Sequence, residues 1–341
     1  MKITRTKKGL YTKRVYIGKD AAGKDIVKRI TAATKTELTW LELQMKRTVP
    51  GTAMTLKTAM QKYNDSRSNI LSPSTMISYL RYADRVFSDA LYNKDIDKIS
   101  DVDVQTEANR LSKQVSPKTV RNYVFYLITV IEEYAMNRKV KVVLPKKKRL
   151  SLRIPTEKEM QLIYDSVKGS PLELPVLLAS MCGMRRSEIA ALTYDDIDMD
   201  SKTVTISKAV VRNPQKNYIV KVPKSYAGYR ALDLPAPVMA VIQERKLKDL
   251  PLIELHADVI SSRFRRLMDK IGLHGVRFHN LRHYYATVLL ELGIPDKFAI
   301  ELTGHSTPYM LREVYQHTRE QKMNEYRELL KAKLDAKLDT I

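Results

Sequence analysis

Two segments of this 341-residue chain open with the same start signal, Ser72-Pro73-Ser74-Thr75 and Ser116-Pro117-Lys118-Thr119. A serine at the cap position accepts a hydrogen bond from an orphan backbone N–H. A proline just inside has its φ preset for a helix and no N–H to leave unsatisfied. The first signal is followed by Met76, Tyr79, Leu80, Ala83 and Val86, the second by Val120, Tyr123, Leu127, Val130 and Ile131. That three/four spacing predicts helices with one buried face, and residues 52–140 read as an all-helical unit.

The flanks read differently. Tyr11, Val15, Tyr16 and Ile17 lie in one run and Ile26, Val27 and Ile30 in another, with the turn-type stretch Asp20-Ala21-Ala22-Gly23-Lys24 between them. A small β-sheet module with a helix over 35–47 is expected there, too small to be very stable alone. After residue 150, Thr156 with Glu159 forms a capping box. A β-rich insert is expected over Thr203–Ser207, Tyr218–Val222 and Arg230–Leu234, with helices resuming near Pro237, Asp258, Asn280 and Pro295. The fold class expected is α+β multidomain: a small N-terminal β-sheet module, an all-helical domain, and a mostly helical C-terminal domain with a small β-hairpin or sheet insert. The tail over 319–341 has a thin apolar stripe and reads as a helix that packs on a partner surface.

Charge narrows the partners. Lys and Arg number 60 against 38 Asp and Glu, a net +22. Residues 1–50 hold 13 basic and 4 acidic residues and residues 51–150 hold 18 and 10, so the front half carries +17 of it. A field of that sign favours a polyanion such as nucleic acid, with solubility as the plainer reading. Lys118, Arg121 and Asn122 fall on the side of the second signalled helix expected to be exposed, available to phosphates or bases, or incidental to a core helix. The run Lys146-Lys147-Lys148-Arg149 reads as a strap along a phosphate backbone or as an import signal. The single cysteine, Cys182, excludes an intramolecular disulfide and reads as a buried small residue. The longest uncharged stretch, around Leu174–Met184, is too short for a span of about 20 residues, so a soluble, cytoplasmic protein with no membrane partner is expected.

Four of the six histidines, His279, His283, His305 and His317, fall within 39 residues. His279 and His283 stand at i and i+4 as two zinc ligands would. However, HNLRH lacks the metalloprotease glutamate and puts Arg282 beside any metal, so no metal is expected. A cationic phosphate site fits better. GMRRSE supplies Arg185 and Glu188, HNLRHYYAT supplies His279 and Arg282, and TGHSTPYMLREVYQHT supplies His305 and, ten residues on, Tyr315. Arginines offer paired donors to non-bridging oxygens, histidines exchange protons near neutrality, and a tyrosine hydroxyl can act as nucleophile.

GMRRSE, HNLRHYYAT and LTGHSTPYMLREVY resemble the three signature boxes of the tyrosine recombinase (phage integrase) family. The resemblance implies catalytic roles for Arg185, His279, Arg282 and His305, with Tyr315 as nucleophile. The segment KVPKSYAGYRALDLP resembles the family's lysine-bearing hairpin, which makes Lys224 the candidate general acid, with Lys216 and Lys221 nearby. Arg186, rotated about 100° from Arg185 around a helix, reads as structural or as a DNA-backbone contact. Glu188 is expected to orient Arg185, and His283 to pack beneath the site. Tyr284, Tyr285 and Tyr309 read as core or surface aromatics.

By the same resemblance, residues 1–50 would be an arm-type DNA-binding module, 52–140 a core-site-binding domain, 141–154 a basic linker and 155–341 the catalytic domain with its tail. The implied activity is DNA cutting and rejoining through a 3′-phosphotyrosyl link, without cofactor. It serves integration and excision of a phage or mobile element in a bacterial host. The implied partners are duplex DNA with core-type and arm-type attachment sites, a homo-tetramer on DNA, and an accessory DNA-bending or excision protein. A topoisomerase-like nicking-closing enzyme and a non-catalytic DNA-binding regulator are the alternatives.

Overall fold

The computed structural model describes residues 3–5, 9–19, 25–47, 54–135, 139–147, 153–222, 229–304, 327–328 and 330–331. The chain divides into two compact units, residues 1–149 and 150–341.

The first unit begins with β1 (Thr4–Arg5), β2 (Tyr11–Lys19) and β3 (Asp25–Ala32), an antiparallel sheet in that order, followed by α1 (Lys35–Arg47). Tyr11 faces Ala32 and Val15 faces Lys28, with a register shift between Tyr16 and Gly18. Among the described residues, Val15, Ile30, Ala32 and Leu38 form the buried core of this module, with Tyr11 and Leu41 packed against them.

A separate and larger core lies under α2 (Leu56–Ser66), α3 (Pro73–Arg85), α4 (Asp89–Tyr92), α5 (Asp101–Ser112) and α6 (Pro117–Tyr134). Both start signals act as read: Ser72 and Ser116 accept from the backbone N–H of Thr75 and Thr119, each with proline in the first turn. On α3 the buried face is Met76, Tyr82 and Ala83, whereas Leu80 is exposed. Tyr79 and Tyr82 turn into a ring cluster with Tyr63, Tyr123 and Tyr126, and this aromatic packing decides which flank of the stripe goes inward.

Residues 139–147 run extended along this helical unit. Val143 exchanges two hydrogen bonds with the Gln105 side chain, at 2.8 and 3.1 Å, while Val140, Val142 and Leu144 pack on the helical core. Arg121 is drawn into this contact. It is half-buried, and its Nη1 donates to the Pro145 carbonyl at 3.0 Å. The expectation of an outward-facing Arg121 therefore gives way, because its partner lies 24 residues downstream, beyond any local pattern. Lys118, Lys146 and Lys147 are exposed.

The second unit is built on α8 (Glu173–Met181), buried almost throughout, which follows α7 (Glu157–Val167) and its Thr156/Glu159 capping box. The short α9 (Arg186–Ile189) comes next, then a sheet in the order β4 (Ile197–Asp198), β5 (Thr203–Ile206) and β8 (Arg230–Asp233). Between β5 and β8 in the chain stands a hairpin of β6 (Ala209–Arg212) and β7 (Tyr218–Lys221), closed by Lys216 at φ 68°. α10 (Ala236–Leu247), α11 (Ala257–Lys270), α12 (Phe278–Glu291) and α13 (Asp296–Thr303) complete the unit. The β-rich insert stands where expected, with β6 as the added strand. Of the tail, only residues 327–328 and 330–331 are described, and they are helical. No helix among the described residues is long and apolar enough to cross a membrane.

Candidate active site

The site is assembled where α8 ends. Beyond its last turn, Gly183 takes φ +62°, and the Leu178 carbonyl accepts from both Cys182 N–H (3.3 Å) and Met184 N–H (3.2 Å). This reversal turns the Gly183 carbonyl inward and delivers Arg185 as the residue capping α9. Glu188 closes the turn. One carboxylate oxygen accepts from the Arg185 backbone N–H at 2.9 Å, and the other from Arg185 Nη1 at 2.7 Å. Arg185 Nη2 donates to the Gly304 carbonyl at the left-handed end of α13.

Arg282, in the first turns of α12, lies beneath. It is 1% exposed, the largest fully buried side chain among the described residues. Its Nη1 donates to the Gly183 carbonyl at 2.5 Å, while its Nε and Nη2 are buried with no partner among the described residues. Burial first, and then the Arg185 charge, push its pKa down to about 9, so it stays a cation at neutral pH, held at an energetic cost and with donors to spare.

One turn earlier, the His279 ring meets His283 edge-to-face at 4.7 Å. His279 retains contact with solvent, yet desolvation by packed atoms, followed by the charges of His283, Arg282, Arg185 and Arg186, lowers its pKa to about 4. The imidazole is therefore neutral at pH 7, able to donate from one nitrogen and accept at the other. Because the unfolded chain binds this proton from about pH 6.5 downward and the folded one resists until about 4, His279 makes stability fall with pH across that window. His279→Gln is expected to flatten the decline in melting temperature between about pH 6.5 and 4.5, checked by thermal unfolding of both proteins across that range.

Glu188, 6% exposed, has a second partner that the sequence pattern does not announce. Arg230 on β8 donates Nη2 to Oε2 at 2.9 Å and Nη1 to Oε1 at 3.4 Å. In the strand Arg230–Asp233, burial alternates, with Arg230 and Leu232 inward. An arginine in an apolar register slot is the available signal.

A cleft of about 850 Å³ opens beside Arg185 and His279, lined also by Arg186, Arg265, Arg277, Ser261, Ser262 and Asp258. Arg186 donates to Ser261 Oγ at 2.7 Å. Asp258, the one acid lining it among the described residues, accepts from Tyr218 at 3.1 Å and pairs with Arg212 at 3.5 Å, which leaves the described lining strongly cationic.

The structure thus brings together Arg185, Arg186, Glu188, His279, Arg282 and His283, the last buried at 4% exposure as expected. Lys224, His305, Tyr315, Tyr309, Lys148 and Arg149 lie outside the described residues. Tyr285 covers Gly183, and Tyr284 packs at the margin of the main core. Cys182 is buried, and burial pushes its thiol up to about 12.

The phage integrase family model matches residues 153–322. A tyrosine recombinase XerC-like protein of Caldanaerobacter subterraneus subsp. tengcongensis is 25% identical over 290 residues, covering 72% of this chain and 74% of the relative. The transposase from transposon Tn916 of Enterococcus faecalis is 23% identical over 330 residues, 85% of this chain and 81% of its own. Among solved structures, the Tn1549 transposon integrase in complex with transposon right-end DNA superposes with a TM-score of 0.68 at 19% identity. That match covers 80% of this chain and 99% of the other.

Proposed function

We propose that this chain, which belongs through residues 153–322 to the phage integrase (tyrosine recombinase) family, acts on duplex DNA through Tyr315 as the recombinase of a mobile element. The observation that carries the reading is the buried Arg282 cation, two of whose donor atoms have no partner among the described residues, one turn from a neutral His279 and beside Arg185. Such a pocket suits an oxyanion whose charge grows during reaction, and a DNA phosphate beside a cationic cleft supplies one.

In this reading Arg185 and Arg282 hold the non-bridging oxygens of the scissile phosphate. Tyr315 Oη attacks phosphorus and forms a 3′-phosphotyrosyl bond as the bond to the 5′-oxygen breaks. Lys224 gives its proton to that departing oxygen. His279 and His305 hydrogen-bond the phosphoryl oxygens and relay the proton of the attacking phenol. A 5′-hydroxyl of a partner duplex then reverses the step. One phosphodiester is exchanged for another, so the reaction needs neither ATP nor a divalent metal. Residues 1–50 would engage arm-type sites and 52–140 core-type sites. Four chains would assemble on two duplexes through the 319–341 tails, and an accessory DNA-bending or excision protein would set direction. The place of action would be the bacterial cytoplasm.

The experiment is a selection followed by an assay. A pool of nicked duplexes with randomised central sequence is incubated with the protein in EDTA, washed in SDS, and the retained DNA sequenced. Enrichment of one core sequence, exchange of strands between two copies of it, and a complex with the mass of four chains are expected. Uniform relaxation of plasmids with no enriched sequence would instead favour the nicking-closing alternative.

A further inference from the structure

We propose that Arg230 is a positioning residue for DNA cleavage, acting on Arg185 through the carboxylate of Glu188; the inference rests on the recombinase reading above. Glu188 is sandwiched. Arg185 binds it from the turn after α8, and Arg230 binds it from β8, with Nη2 at 2.9 Å and a side chain only 4% exposed. Arg230 does not line the cleft, whereas Arg185 does. Its hydrogen-bonded reach into the site therefore runs through Glu188, while its charge also bears on Arg282.

The electrostatic reason is one of charge balance. Were Glu188 bound to Arg185 alone, the pair would be neutral, and the guanidinium would be drawn toward the carboxylate instead of the phosphate. With Arg230 behind it, the trio carries one net positive charge, and that charge sits on the member that faces the cleft. Burial alone would raise the Glu188 pKa. The hydrogen bond and charge of Arg230, followed by the charge and backbone N–H of Arg185, bring it below the ordinary value and keep the carboxylate ionised. Arg282 is a further charged neighbour coupled to Glu188, and it adds to the same effect. Arg230 thus does two things at once: it keeps the turn charged so that the Arg185 backbone and side chain stay fixed, and it prevents Glu188 from absorbing the charge of Arg185.

The test compares wild type with Arg230→Met, Arg230→Lys, Glu188→Gln and the double variant Glu188→Gln/Arg230→Met. The probe is the nicked duplex enriched above, used in single-turnover cleavage at saturating protein and in gel-shift titration. Arg230→Met is expected to slow covalent adduct formation about 100-fold with DNA affinity within about threefold, and to move the acid limb of the rate profile up by about one pH unit. Arg230→Lys is expected to recover at least about tenfold of that loss. The double variant is expected to be no slower than Arg230→Met, because the neutral amide that replaces the carboxylate needs no counter-cation. Wild-type rate and an unmoved acid limb in Arg230→Met would overturn the proposal, as would losses that add in the double variant. If Arg230→Met does not fold, Arg230→Lys decides: a wild-type acid limb together with a rate as low as that of Glu188→Gln contradicts the role. A wild-type protein that forms no adduct at all would defeat the recombinase reading instead.

Discussion

Arg282→Met is expected to be more stable than the wild type and nearly inactive. Among the described residues the side chain makes one hydrogen bond, to the Gly183 carbonyl, and has two buried donor atoms without partners. A buried cation in that state costs free energy, and an apolar side chain of similar length removes the cost while losing a single bond. The gain is expected to be about 1–3 kcal/mol, read as a higher melting temperature. Cleavage is expected to fall about 1000-fold or more, since the donors lost are those available to the phosphate oxygens. A variant that melts lower and cuts normally would mean that Arg282 is a structural tie between α12 and the end of α8.

The second large effect is at Gly183. Its φ of +62° strains any other residue, and an added Cβ would stand 2.3 Å from Tyr285 Cδ1 and 2.7 Å from Cε1. Both atoms belong to a rigid aromatic ring, so the ring as a whole must shift to admit the methyl group. Gly183→Ala is expected to destabilise by about 2–4 kcal/mol, combining backbone strain with overpacking. It is also expected to slow cleavage at least about tenfold, because the carbonyl it displaces holds Arg282. The double variant Gly183→Ala/Tyr285→Ala relieves the clash but not the strain, so urea unfolding should show recovery of only part of the lost stability. Full stability in the single variant would contradict the close approach.

The site also marks what a linear reading reaches. Arg282 and His279 were legible because HNLRH places them one turn apart and the fold keeps that local relation. The caps at Ser72, Ser116 and Thr156 were legible for the same reason, each being a bond between residues three apart. Arg121 was misplaced because its partner, the Pro145 carbonyl, arrives from a segment folded back on α6. Leu80, read on the buried stripe, is exposed, and the unread Tyr82 is buried, because a three/four stripe does not say which flank meets an aromatic cluster. Arg230 was missed for a different reason: it sits in the register of an ordinary strand, opposite Ile206, and only the sheet reveals that this slot faces Glu188. The strand Ala209–Arg212 escaped because only Ser207 and Lys208 separate it from β5, too short a break to mark a second strand. Local bonds survive translation into sequence patterns, and contacts across elements do not.

The most direct test of the account is to identify the amino acid that carries the DNA. Wild-type protein is trapped on the enriched nicked duplex in EDTA, digested with trypsin and nuclease, and the nucleotide-bearing peptide is sequenced by mass spectrometry. The account predicts a single attachment, at Tyr315, linked to a 3′-phosphate, and no adduct from Tyr315→Phe although that variant still shifts the duplex on a gel. Attachment at Tyr309, Tyr284 or any other residue, or an undiminished adduct in Tyr315→Phe, would contradict it.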